Sequence, residues 1–376
     1  MNFDFSREQQ QLRDEVRRFL ADVCTTKHVR AVLEGNKLYD AELWQGLADL
    51  GMLGVAIPEA YGGTGASDLE LCIVAEELGR ALAPIPYSST VYLASDLLLN
   101  IGSEVQKQTW LPKIAAGKAI GTVALVESLG DPTAQSIRVL FEAGHLRGKK
   151  LLVPEGEIAD FAIVVARENE LEDESGIGLY LVDMKNPAIQ VKKVETVDPS
   201  RNYAEVIFTN VAAEPLGQVG QGWASLNKAL DRAAILVAFE QIGGADRALE
   251  AGRDYALDRM AFGRPIGSFQ AIKHMLADMY VAVTLARSNA YYGAWALSTN
   301  AAERAEAAAN ARVSATQAYQ LCAKNSMHGH GGMGFTWEFD CHLHYRRSNL
   351  LALSLGSLSM WESRLVDEMR KTHDAA

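Results

Sequence analysis

Between Tyr255 and His274 the chain reads Tyr-Ala-Leu-Asp-Arg-Met-Ala-Phe-Gly-Arg-Pro-Ile-Gly-Ser-Phe-Gln-Ala-Ile-Lys-His, which places Arg259, Arg264, two glycines, a proline and two phenylalanines in one short connection. A guanidinium supplies a fixed cation, a ring supplies a stacking surface, and glycine leaves backbone N–H groups reachable beside a helix start. An anionic ligand needs that combination. The same composition also suits a plain helix–helix connection punctuated by Gly and Pro.

A second cluster, Gly329-His330-Gly331-Gly332-Met333-Gly334, contains a literal G-x-G-x-x-G. The dinucleotide fingerprint needs a strand before it and a helix after it within a βαβ unit, whereas an Ala-rich helical segment precedes it here. That reading is excluded. What remains is a glycine-rich helix end, where glycine tolerates left-handed backbone and lets a ligand approach closely; a helix cap alone needs fewer glycines. His328, His330, His342 and His344 crowd the same region, but no H-E-x-x-H accompanies them, so polar contacts are expected rather than a metal site.

The elements that position these clusters follow from periodicity. Residues 1–120 read as helices: Ser6 and Gln9 form a capping-box pattern ahead of Leu12, Val16, Phe19, Leu20 and Val23, and a second helix starts near Asp68 with Leu71, Val74, Ala75 and Leu78 on one face. Further helices are expected over Val91–Leu99 and Gln106–Ile114. Residues 121–212 change to short β-branched runs at 122–126, 161–165, 178–182, 189–194 and 204–208, which predict a small β-barrel or sandwich domain, with the acidic run Glu168–Glu174 as a solvated loop. Over 213–376 the helical period returns in four stretches, Gly222–Met260, Phe269–Ser298, Ala301–Met327 and Leu350–Met369, a pattern that predicts a four-helix bundle. The fold class is therefore mainly α with a central β domain.

The 376 residues carry a formal net charge of −11, which disfavours nucleic acid and anionic membrane as partners but leaves room for a local phosphate site. The four cysteines, Cys24, Cys72, Cys322 and Cys341, show neither a C-x-x-C pair nor a disulfide ladder. Met1–Gln10 lacks the basic-then-apolar form of a signal peptide, and no run of 18 apolar residues occurs, so a soluble cytoplasmic protein is expected.

Across essentially its whole length the chain resembles the acyl-CoA dehydrogenase family. The matching residues are Phe5-Ser-Arg-Glu-Gln9, Ile57-Pro-Glu-Ala-Tyr-Gly-Gly-Thr-Gly65, Glu76-Glu-Leu-Gly79, the loop from Arg259 to Gln270, and His328-Gly-His-Gly-Gly332. The resemblance implies a helical, β, helical layout and a flavoprotein that converts a saturated acyl-CoA to the 2,3-enoyl-CoA. In it a Glu takes the α-proton, FAD takes the β-hydride, and an electron-transfer flavoprotein is the expected electron acceptor. A carboxylate whose pKa is raised in an apolar pocket suits such a proton transfer. It further implies that Arg259, Phe262, Gly263, Gln270, His328, Gly331 and Gly332 contact the pyrophosphate and adenosine ends of a neighbouring subunit's FAD.

The departures from the family pattern carry equal weight. The family's base-bearing Tyr-Glu-Gly-Thr falls on Ser354-Leu355-Gly356-Ser357, so Leu355 holds the usual base position, and the alternative position on the preceding long helix falls on Ala233. The flavin-contacting Trp-Ile-Thr-Asn-Gly is Leu152-Val-Pro-Glu-Gly156, where the ring and hydroxyl are gone and proline removes a backbone donor. Of the Thr-Glu-Pro segment only Glu127 is clearly kept, and His328 replaces the Gln before the glycines. Three expectations follow. The first is a small, β-type subunit of a heterotetrameric dehydrogenase, resembling the paired subunits acting on steroid side-chain or dicarboxylic acyl-CoA thioesters. The second is a self-sufficient homo-oligomer with Glu240 as relocated base, because Glu240 lies two helical turns, roughly 10 Å, beyond Ala233 on the same face; a buried carboxylate paired with an Arg is the competing reading of that residue. The third is a non-catalytic assembly protein of the same fold.

Overall fold

The computed structural model describes residues 6–168, 173–218 and 220–374. Residues 1–5, including Phe5 of the opening motif, and residues 169–172 of the acidic run lie outside the described residues. In the N-terminal part, helices α1 (Arg7–Val23), α2 (Thr26–Leu33), α3 (Ala41–Asp49) and α4 (Asp68–Arg80) are followed by a π-helical turn at Ser88–Ala94, then α5 (Ser95–Ile101) and α6 (Glu104–Ala115). The capping box at Ser6 is formed: its side chain accepts from Gln9 N, and Gln9 reaches back to Ser6 N. Another, at Ser103 and Gln106, starts α6.

The central part is one eight-stranded sheet. Its strands are β1 (Gly121–Ala124), β2 (Leu140–Glu142), β3 (His145–Pro154), β4 (Phe161–Arg167), β5 (Ile177–Asp183), β6 (Ile189–Val194), β7 (Tyr203–Ala212) and β8 (Glu214–Leu216). They run in the order β6-β7-β3-β2-β4-β5-β8, with β1 parallel to β4 off that path. One face buries Val139, Leu146, Val153, Val164, Tyr180, Val206 and Phe208 as a continuous core. The sheet holds three strands beyond the five expected runs. β3 hides from a period-2 reading because His-Leu-Arg-Gly-Lys-Lys-Leu-Leu-Val-Pro carries a glycine, two lysines and a proline, and its register against β7 shifts between Lys150 and Val153.

The C-terminal part contains α7 (Gly222–Asp258), a hairpin of β9 (Met260–Ala261) and β10 (Arg264–Pro265), then α8 (Gln270–Ser298), α9 (Arg304–Gly329), α10 (Cys341–Leu353) and α11 (Leu358–Asp374). The single helix expected over Leu350–Met369 is two helices. Leu355 and Gly356 break it, with φ of +64° and +104°, and the Ser357 hydroxyl accepts from Met360 N at the start of the second. Gly356 permits that turn; Leu355 adopts it at a steric cost.

By compactness the chain divides into two units, one of Met1–Val29, Asp68–Ala83 and Ala234–Ala376, the other of Arg30–Ser67 and Pro84–Ala233. Within the first unit α4 and α7 meet backbone to backbone: a Cβ on Gly79 would lie 1.8 Å from the Glu240 carbonyl oxygen, and one on Gly243 would lie 1.8 Å from that of Glu76. Only glycine fits at either place. The Glu76-Glu-Leu-Gly79 motif is thus a packing device whose carboxylates are also used. Buried Glu76 pairs with Arg13 (3.2 Å) and Arg287, and buried Glu77 receives Arg17 at 2.6 and 2.8 Å.

Candidate functional site

The loop after α7 is a tight hairpin. Arg259 N donates to Tyr255 O, Ile266 N donates to Arg259 O at 2.8 Å, and Arg264 pairs with Ala261 across the ladder. The two-residue tip, Phe262 and Gly263, has φ of +52° and +77°, the positive values of a type I′ turn. Glycine suits its place, but phenylalanine at the first position is strained, and its ring is 96% exposed. Arg264 lies over the Phe269 ring at 4.1 Å, with Phe262 edge-on to that ring at 6.2 Å. Gln270, exposed, is the first residue of α8.

The glycine cluster forms the end of α9. His330 caps the helix, and Gly331–Phe335 continue as a 3-10 turn with Gly331 at φ +62°. No strand precedes it, as the Ala-rich segment required. The Tyr255 and His330 rings stack at 4.1 Å and 25°, with Phe339 at 90° to the Tyr255 ring and 67° to the His330 ring. This stack joins the two clusters into one cleft of about 380 Å³, lined by Tyr255, Arg259, Ile266 and residues 329–333.

Three features of the cleft suit an anionic, ring-bearing ligand. No carboxylate pairs with Arg259 among the described residues. A Cβ on Gly331 or Gly332 would meet nothing within 4 Å. At Gly332 the backbone φ is also ordinary, so neither chain conformation nor chain packing calls for glycine there. The open space lies where a ligand or a second chain would press against the backbone. Of the residues singled out in the sequence, Arg259, Gly331 and Gly332 line this cleft; Phe262 and Gly263 stand at the hairpin tip; Gln270 opens α8; and His328 is exposed on α9, outside the lining. Tyr255 and His330 were missed, although the i+4 relation of Tyr255 to Arg259 at a helix end was available as a signal.

The remaining histidines are packing groups. His342 stacks on Trp337 at 4.8 Å, and His344, buried, has its Nδ1 3.0 Å from the Tyr319 hydroxyl. Burial first, then the charges of Arg247 and Arg347, push the His344 imidazole down to about 3. No group of three His, Cys, Asp or Glu side chains arranged to hold a metal ion occurs among the described residues.

The positions where the family pattern places a base are apolar. Leu355 packs against Ala234, Ala309 and Trp361, and its carbonyl accepts from Trp361 Nε1 at 3.1 Å. Buried Arg312 ties the turn down by donating to the carbonyls of Leu351 and Ser354, to Gln241 and to Thr316. Ala233 is fully buried. Glu240 is 1% exposed and faces Arg347 Nη1 at 3.9 Å, equally buried.

The segment corresponding to the flavin strand is stapled by charge. Glu127 Oε1 lies 2.5 Å from Lys150 Nζ, and its oxygens also accept from Arg138 N and Val139 N. Lys150 is completely enclosed, and burial, opposed by Glu127, brings its ammonium down to about 8. Leu152 and Glu155 have positive φ, and buried Glu155 lies 3.9 Å from Arg201.

A helical N-terminal region, a central sheet and a helical C-terminal region with this hairpin and glycine turn define the class of fold. The acyl-CoA dehydrogenase N-terminal domain matches residues 6–118 and the acyl-CoA dehydrogenase C-terminal domain matches residues 220–365. The chain belongs to the acyl-CoA dehydrogenase family. It is 34% identical over 358 residues to acyl-CoA dehydrogenase IpdE2 of Mycobacterium tuberculosis, covering 95% of this chain and 93% of that one. Among solved structures it is similar to a variant of the Tcur3481-Tcur3483 steroid acyl-CoA dehydrogenase, at 31% identity and TM-score 0.87, covering 98% and 99% of the two chains. It is also similar to a chain of the ChsE4-ChsE5 complex of Mycobacterium tuberculosis, at 28% identity and TM-score 0.88 with 98% and 99% covered. No helix among the described residues is long and apolar enough to cross a membrane.

Proposed function

We propose that this chain is a subunit of a cytoplasmic, heteromeric, FAD-dependent acyl-CoA dehydrogenase, the partner that completes the flavin site of a homologous base-bearing subunit. The observation that carries the reading is an asymmetry: the cleft holds a guanidinium without a carboxylate partner and two glycines whose side-chain space is empty, while the usual base position is Leu355 in an apolar cluster. Leucine accepts no proton. The solved ChsE4-ChsE5 complex and Tcur3481-Tcur3483 steroid acyl-CoA dehydrogenase each combine two components, which supports a heteromeric assembly, and the second favours a steroid-derived acyl-CoA as the substrate class.

In this reading Arg259 holds the pyrophosphate charge, Gly331 and Gly332 admit the cofactor against bare backbone, and Phe262 with Gln270 lies against the partner. FAD, when bound, supplies the acceptor for the hydride leaving the β-carbon of the thioester. The α-proton would go to a carboxylate of the partner subunit, and an electron-transfer flavoprotein would be the electron acceptor. A self-sufficient enzyme based on Glu240 fits less well, because Arg347 already faces that carboxylate in a closed environment.

Co-expression with a homologous base-bearing chain tests the proposal. The pair should purify with bound flavin and turn over acyl-CoA, and Gly332→Ala in this chain should cut flavin content at least tenfold while its own thermal stability stays within about 0.5 kcal/mol, since the added Cβ meets nothing. Stoichiometric FAD and full turnover in this chain purified alone would sink it.

A further inference from the structure

The cleft contains a polar side-chain atom that packing does not account for. His330 is 7% exposed, and its Nδ1 lies 2.7 Å from the carbonyl oxygen of Ser326, one turn earlier on α9. A carbonyl only accepts, so Nδ1 carries the proton. In the neutral ring Nε2 is then an acceptor lone pair, and it has no hydrogen-bond partner among the described residues. Tyr255 covers one ring face at 4.1 Å and Phe339 stands edge-on at 5.7 Å, so aromatic neighbours hold the ring plane. The helix carbonyl therefore fixes the tautomer while the aromatic neighbours fix the plane. Nε2 is thus a fixed acceptor without a protein partner in the lining of the cleft, which makes a donor entering the cleft its natural partner.

We infer that His330 is a specificity-determining residue of this cleft: its Nε2 accepts a hydrogen bond from the nucleoside end of the bound dinucleotide. The inference rests on the proposed assignment of the cleft to FAD. Two donors on adenosine have the required chemistry, the exocyclic amino group of the base and a ribose hydroxyl. His328, one helix position short of α9's last residue and exposed, lacks such a fixed environment.

The test uses the flavin-carrying oligomer, stripped of cofactor and titrated at constant pH. Three probes are compared by flavin fluorescence: FAD, its analogue with hypoxanthine in place of adenine, and its 2′-deoxyadenosine analogue. One analogue should bind roughly threefold to tenfold more weakly than FAD, the worth of one neutral hydrogen bond, and the one that does identifies the donor. His330→Phe should keep the stack on Tyr255 and bind FAD and that analogue equally. If both analogues bind like FAD in the unaltered protein, or if His330→Phe retains the discrimination, the inference is overturned. Failure of the underlying assignment looks different: Arg259→Ala would then leave the affinity for all three probes unchanged.

Discussion

Arg347 and Glu240 face each other at 3.9 Å in the packed interior of the C-terminal helices, each side chain 1% exposed, and Arg347 also donates to the Leu82 carbonyl at 3.3 Å. Breaking a buried pair by neutralising one member leaves the other charge poorly compensated, at a cost of about 3 kcal/mol. Glu240→Gln is therefore expected to lower the unfolding free energy by that amount while turnover per flavin in the assembled enzyme stays unchanged. Urea unfolding and steady-state kinetics on the same preparation separate the outcomes. Loss of turnover with stability and flavin retained would make Glu240 the base and remove the subunit proposal.

Lys150 gives the sheet a pH dependence of unusual sign. Its ammonium loses a proton near pH 8 in the folded chain and near 10.5 when freed. Between these values the unfolded state holds more protons, so this residue's contribution to stability rises with pH across the window. The size is on the order of 3 kcal/mol. Comparing unfolding free energies at pH 7.5 and 9.5 for the natural chain and for Lys150→Met should show a gain that the substitution abolishes. A parallel pH response in the two proteins would mean that Lys150 is not charged and enclosed as described.

Phe262 offers a test in which stability and function move in opposite directions. A left-handed conformation costs a non-glycine residue about 1 kcal/mol, and asparagine is far better suited to this turn position. Phe262→Asn should raise the melting temperature of the chain alone, yet weaken its association with the flavin-bearing partner by removing a 96% exposed ring. Calorimetry of the chain and titration with the partner give the two readouts. Equal partner affinity in both forms would take Phe262 out of the interface.

Much of this architecture was legible in the sequence, and the exceptions have identifiable causes. The long helices α7, α8 and α9 announce themselves because helix-forming, often Ala-rich sequence persists over many turns without proline. The helix break at Leu355 was invisible because leucine is a strong helix former and gives no sign of positive φ; tertiary bonds from Arg312 and Trp361 to the flanking carbonyls impose it. β3 was obscured by Lys150, because lysine ordinarily marks an exposed position and this one is enclosed with Glu127. In the cleft, Arg259 and the glycines could be picked out by composition and resemblance. His330 could not be separated from His328, since only the placement of the helix end decides which of two histidines two residues apart turns inward.

Gly332 has a wider consequence. Nothing inside this chain objects to a side chain there, so chaperones and proteases, which sense exposed or unfolded segments, have no handle on a substitution at that position. In the proposed assembly such a variant would accumulate at normal abundance and compete for the partner. The result would be a dominant defect, expressed as a pool of paired but flavin-poor enzyme rather than as missing protein.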